Sequence, residues 1–291
     1  MSGAVLPVSA ERLPPPERRA LRKFMANRAA VLGAAIVILF LALAIAAPLV
    51  APFDPAQTNF RLVRKPPDAL HWFGSDEIGR DVLSRVIWGA RASLLAGCVS
   101  VAVATAIGVP LGLIAGYLGG WWDMIISRCT DALLSIPFLV LAIALAAFLG
   151  PSLTNAMLAI GIAATPFIIR LTRGQTLAVK TEEYVEGARA VGVPRVTIAL
   201  RYILPNITAP ILVQATLIVA QAIIAEASLS FLGLGQQPPS PSWGSMLNVA
   251  KNYMEQAPWM AIWPGLAIFL AVLGFNLMGD GLRSALDPRE T

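Results

Sequence analysis

The segment EEYVEGARAVGVPRVTIALRYILPN, Glu182 to Asn206, carries mixed charge, glycine and two prolines between long apolar runs. Tyr184, Val185, Ala188 and Val191 or Gly192 recur at helical spacing. Glu182, Glu183 and Glu186 place acid where a helix N-terminus favours it. Gly192 suits the left-handed position that closes a helix, and Pro194 the first turn of the next. Val196, Ala199, Leu200 and Ile203 continue on one face, and Leu204-Pro205 leads into an apolar run. The pattern predicts two short helices joined by a tight glycine turn, lying along a membrane or tucked under it. Gly187, Ala188 and Ala190 are small enough for another body to approach closely. Glu186 and Arg189 are spaced to pair with each other or with charges on a partner. An ordinary amphipathic loop between membrane spans is the plainer alternative.

The flanking sequence sets the class. Of 291 residues, 57% are hydrophobic and 13% charged, against about 25% charged in soluble domains. So few charges cannot cover a soluble surface, which points to an integral membrane protein. The net charge of +5 is not a nucleic-acid footprint, because the basic residues sit in short segments with few aromatics. Cys98 and Cys129 lie in or beside apolar runs and read as packing residues.

A spanning helix needs about 20 mainly apolar residues. Six runs qualify: Ala29–Val50, Ala92–Leu118, Ile125–Leu149, Leu153–Ile169, Ile207–Ser230 and Trp259–Met278. The first exceeds a signal peptide's apolar core and reads as a retained anchor. With both termini in the cytosol, most Lys and Arg fall inside, as the positive-inside rule requires. The expected fold is therefore an all-α integral membrane protein of about six transmembrane helices. Its expected parts are a cytosolic tail (1–28), an anchor helix (29–50) and an extracytoplasmic segment with an amphipathic helix (51–91). A five-helix core (92–282) with a cytosolic loop (175–206) and a cytosolic tail (283–291) complete it. From Asp81, the residues Val82, Leu83, Val86 and Ile87 predict a surface helix leading into the second span. A short helix is expected near Trp243 to Met254.

Within the second span, Ala92, Ala96, Ser100, Ala104, Gly108, Gly112, Gly116 and Gly120 are small and spaced by four. The glycine half, Gly108 to Gly120, predicts close helix packing. Pro110, Pro137, Pro166, Pro210 and Pro264 predict kinks in every later span. Asp131 and Glu226 are charges inside or near spans. Each is a candidate to line a pathway or brace a gate, or else a helix-end residue reaching the interface.

There is no GxxxxGK[ST] loop, HExxH or GxSxG motif, and His71 is the only histidine. No catalytic set, metal site or cofactor site emerges. His71 reads as a packing or hydrogen-bonding residue beside Trp72.

The run EGARAVG, eleven residues, then LP resembles the "EAA" motif of permease subunits of binding-protein-dependent ABC importers. Glu186-Gly187-Ala188 stands at its first positions, with glycine in place of the middle alanine. Gly192 stands at the motif glycine and Leu204-Pro205 at its end. HWFGSDEIGRDVLSRVIWGARASL, GYLGGWWD, EASLSFLGLGQQPPSPSWGSML and GDGLRSALDP resemble the second permease of dipeptide/oligopeptide/nickel importers. The resemblance runs from about Arg22 to the end. It implies that Glu186, Gly187, Ala188, Arg189 and Gly192, with Leu204 and Pro205, couple to a cytosolic ATPase. It also implies a second homologous permease, two ATPase subunits, an extracytoplasmic substrate-binding protein and membrane lipid as partners. The implied cargo is peptide, with glutathione or a nickel chelate as alternatives. An ion-coupled secondary transporter would explain six kinked spans but leaves the coupling-like loop unexplained.

Overall fold

The computed structural model describes residues 16–286, with side chains from Leu21. Parts of both predicted tails, 1–15 and 287–291, lie outside it. Among the described residues the chain is helical, apart from turns and a single bridge between Ser75 and Asp81.

Helix α1 (Pro16–Ala26) precedes α2 (Arg28–Val50), which Asn27 caps by accepting from the Ala29 and Ala30 amides. An irregular segment then leads to α3 (Val82–Leu118), α4 (Gly120–Leu134), α5 (Phe138–Leu149) and α6 (Leu153–Val179). The coupling-like segment holds α7 (Glu183–Ala190), α8 (Arg195–Thr197) and a π-helical turn, Ile198–Ile203. Helix α9 (Leu204–Phe231), α10 (Trp243–Ala250) and α11 (Trp259–Leu286) complete the chain. Five helices, or six with the bent pair α4–α5, are long and apolar enough to cross a membrane.

Helices α3 and α6 run parallel and form the centre of the bundle. Ser100 Oγ donates to the Met157 carbonyl at 2.9 Å. A Cβ at Gly108 would lie 2.7 Å from Ile168 Cβ, at Gly112 2.5 Å from Thr172 Cβ, and at Gly116 2.7 Å from Thr176 Cβ. Gly161 reciprocates from α6, 2.8 Å from the Ser100 carbonyl. The backbones thus approach at a distance that only glycine permits. A row spaced by four drifts round a straight helix, so α6 winds with it. Gly120 is not in this seam: a Cβ there would meet nothing within 4 Å, and with φ +56° it opens α4. A second seam joins α2 to α11, where Gly33 meets the Gly274 carbonyl and Gly281 meets Ala30. These glycines form no regular row and carried no signal in the sequence.

Several boundaries differ from expectation. The surface helix predicted from Asp81 is the opening of α3, whose 37 residues extend about 55 Å; residue 92 therefore lies inside a helix. Asp81 caps it, with Oδ2 accepting from the Ser84 amide at 2.7 Å. The third span is broken: α4 and α5 meet at 92° around Pro137. With 12 residues, α5 rises only about 18 Å, short of a hydrocarbon core of about 30 Å. The fourth span runs on to Val179. The second short helix of the coupling-like pair is not separate, because α8, the π turn and α9 run together as one 37-residue span candidate. Helix α11 carries on past residue 282 to Leu286. Cys98 and Cys129 are exposed on the isolated chain rather than packed inside it.

Candidate functional site

Helix α7 has one clamped face and one open face. Its end is a Schellman turn: Val193 N–H donates to the Ala188 carbonyl and Gly192 N–H to the Arg189 carbonyl, each at 3.1 Å. Gly192 takes φ +81°, the left-handed region glycine enters without strain. Val193, Val185 and Ala188 pack with Leu113, Ile198, Ile203, Ile207 and Ile211. Leu204 borders this cluster, and Pro205 lies exposed in the first turn of α9. The Lys180 ammonium donates to the Gly116 carbonyl at 2.9 Å, tying the loop's start to the α3–α6 seam.

The other face presents Glu182, Glu183, Glu186, Gly187 and Arg189, all exposed. Glu186 and Arg189 do not pair with each other, and neither has an ion-pair partner among the described residues. Val191, Val196 and Leu200 add exposed apolar surface. A Cβ at Gly187 would meet nothing within 4 Å, so nothing inside this chain requires that glycine. Burial and the nearby Glu182 charge push the Tyr184 phenol up.

The two candidate membrane charges differ. Asp131 on α4 accepts from Arg170 Nη2 on α6 at 2.8 Å, with the side chains 57% and 66% exposed. Asp123 and Arg173 make a second pair between the same helices. Arg170, Arg173 and Asp123 were not singled out in the sequence, although two acids two turns apart face two arginines one turn apart. Glu226 on α9 is fully buried, accepting from Ser93 Oγ on α3 at 3.0 Å and from Ser230 Oγ at 2.7 Å. The Gln236 amide donates to Ser230 Oγ, extending this contact into the loop before α10.

At the far end of α3 from Gly116 lies a buried polar cap. Arg80 bonds Asp76 at 2.6 Å and Glu77 at 2.5 Å, Arg85 lies 3.4 Å from Asp76, and His71 Nδ1 sits 2.9 Å from Asp81. The Asp81 carboxylate also accepts from Ser84 Oγ at 2.7 Å. Burial, with the neighbouring Asp76 charge, pushes the Glu77 carboxyl up. Backbone amides of His71 and Leu70 hold Asp68 below the usual carboxylate range.

Comparison with known proteins places this arrangement. Residues 108–291 match the family described as binding-protein-dependent transport system inner membrane component. Residues 16–67 match the N-terminal transmembrane domain of oligopeptide transport permease C. The chain is 46% identical to the dipeptide transport system permease protein DppC of Alkalihalophilus pseudofirmus, covering 95% of this chain and 94% of that one. It is 45% identical to the glutathione transport system permease protein GsiD of Pectobacterium atrosepticum, covering 98% and 96%. It is 48% identical to the probable D,D-dipeptide transport system permease protein DdpC of Escherichia coli, covering 89% and 87%. In fold it resembles a chain of the MetNI methionine ABC transporter in an inward-facing crystal form, with TM-score 0.58, 20% identity and coverage of 70% and 98%. The chain belongs to the family of inner membrane components of binding-protein-dependent transport systems.

Proposed function

We propose that this permease forms half of a translocation pathway for peptides and that α7, with the Gly192 turn, docks in a cytosolic ATPase. The open face of α7 carries this reading: charges without partners and a glycine with empty space around it, on a helix whose other face is anchored to α9. A push on Glu186, Gly187 or Arg189 passes through Val185 and Ala188 to Ile203 and Ile207 at the root of a spanning helix. ATP hydrolysis belongs to two separate ATPase subunits, since the chain has no phosphate-binding loop. A second homologous permease and an extracytoplasmic binding protein complete the machine. In this reading the loop end is cytosolic, as are both termini, and the cap end faces outward.

The Asp131–Arg170 pair marks the side of the bundle that meets water or the second permease. Both side chains are more than half exposed on the isolated chain, and a charge facing hydrocarbon costs about 2.5–3.5 kcal/mol. Glu226, enclosed by serines of this chain, braces α3 against α9 rather than lining an open path.

Peptide is supported by the names of the dipeptide-system relatives, while the glutathione-system relative at 45% identity favours glutathione, itself a peptide, as the second reading. Uptake into vesicles containing the co-purified complex and its binding protein tests both. Labelled dipeptide should enter only with ATP, and competition by glutathione should separate the cargoes. Uptake that ignores loss of the ATPase but collapses with the proton gradient would instead indicate a secondary transporter.

A further inference from the structure

A cavity of about 290 Å3 opens at the cap end, where the outer turns of α3 meet the start of α6. Trp88, Arg91, Leu95, Leu153, Gln236 and Ser240 are among its lining residues. Its size is at the lower end of small-molecule pockets, ~300 Å3. Arg91 is the one formally charged residue in the lining, and among the described residues it has no ion pair. Its guanidinium lies 5.2 Å from the centre of the Trp88 ring. A cation–π contact of this kind holds the exposed guanidinium beside the ring and uses none of its N–H donors.

The walls are held in place from behind. The buried Arg85 guanidinium donates to the Pro55 carbonyl at 2.8 Å and reaches the Pro239 carbonyl at 3.5 Å. Both prolines belong to loops that line the cavity. Asp76 fixes Arg85 in turn. One step along α3 from Ala92, Ser93 holds Glu226, so the cavity abuts the brace between α3 and α9. The result is a largely apolar hollow with a single cation, held beside Trp88, and no acid of its own.

We propose that Arg91 binds the carboxylate of a peptide cargo as it passes from the binding protein into the pathway. This inference rests on the peptide reading given above. A planar guanidinium fork matches a carboxylate in two parallel hydrogen bonds, and the apolar walls accept the rest of a small peptide. The structure assigns no such role to Arg85, which is buried and engaged.

The test compares a labelled dipeptide with its C-terminal amide in the complete complex, at saturating loaded binding protein. Wild type should favour the free acid by roughly tenfold or more, the effect of one hydrogen bond to a charged group. Arg91→Gln should reduce that preference to near unity, with binding-protein docking and melting temperature unchanged. Arg91→Lys should keep part of it. If Arg91→Gln slows acid and amide equally, Arg91 contacts a lipid phosphate or the binding protein, and the proposal falls. An acid preference that survives Arg91→Gln undiminished places discrimination elsewhere and also overturns it. If wild type moves neither dipeptide while its ATPases and binding protein co-purify, the peptide reading fails and this subsite with it.

Discussion

The two ends of the α3–α6 seam solve opposite problems. At the cap end, His71, Ser75, Asp76, Arg80, Asp81, Ser84 and Arg85 are all buried polar residues. At the loop end, Glu182, Glu183, Glu186 and Arg189 are exposed. The cap pairs its charges within the chain; the loop leaves Glu186 and Arg189 without ion pairs. A buried charge must be matched locally because the interior does not screen it, whereas an exposed charge can wait for a partner. The cap is thus closed within the chain and the loop left open, as the proposed docking of α7 on an ATPase requires.

The contrast predicts that stability effects fall from cap to loop while effects on assembly rise. The largest loss should come from Asp76→Ala, which leaves the buried Arg85 without an ion pair and Arg80 with Glu77 alone. Removing one partner of buried ions costs about 3–5 kcal/mol, read as lost yield and a lower melting temperature of the purified chain. Gly112→Leu, between the two ends, should cost about 1–3 kcal/mol by overpacking against Thr172 and the Ile169 carbonyl. The doubly substituted Gly112→Leu/Gly116→Leu chain should fail to assemble. An unchanged melting temperature would show that the seam yields.

Gly192→Val comes next. A β-branched residue at φ +81° should cost about 1–3 kcal/mol of local strain and deform the Schellman turn. ATP hydrolysis should continue while uptake is lost; normal uptake would show that the turn does not transmit force. Glu186→Ala should be the mildest for the chain, within about 0.5 kcal/mol, since the side chain makes no ion pair here. Its effect should appear only as weaker ATPase retention on co-purification. A large drop in melting temperature instead would reveal a structural role within the chain.

Much of the loop end was legible in the sequence because turn chemistry is local. Glycine between two helical patterns, followed by Pro194, carries its own geometry. The row Gly108, Gly112 and Gly116 was legible for the same reason, its spacing being that of one helix face. The cap was not. Arg80 and Arg85 look like the polar side of a surface helix, because arginine is seldom fully buried, and only the folded chain brings Asp76 against both. A kink at Pro137 was legible, but its size was not: hydropathy counts transfer from water and carries no direction, so two helices at 92° read as one kinked span. Asp131 was visible as a charge out of place, but its partner Arg170 is distant in the chain. The cavity beside Arg91 is assembled from four separate segments, which only the folded chain brings together.

The open character of the loop is tested most directly at Gly187, where empty space surrounds the Cα. The tagged chain, as wild type and as Gly187→Trp, would be purified gently from its native membrane and the accompanying proteins identified by mass. The account predicts two ATPase subunits with wild type and their loss with Gly187→Trp, at an unchanged melting temperature of the permease. ATPases retained in full by Gly187→Trp would contradict it, as would a wild-type chain that brings down none even after cross-linking near Glu186.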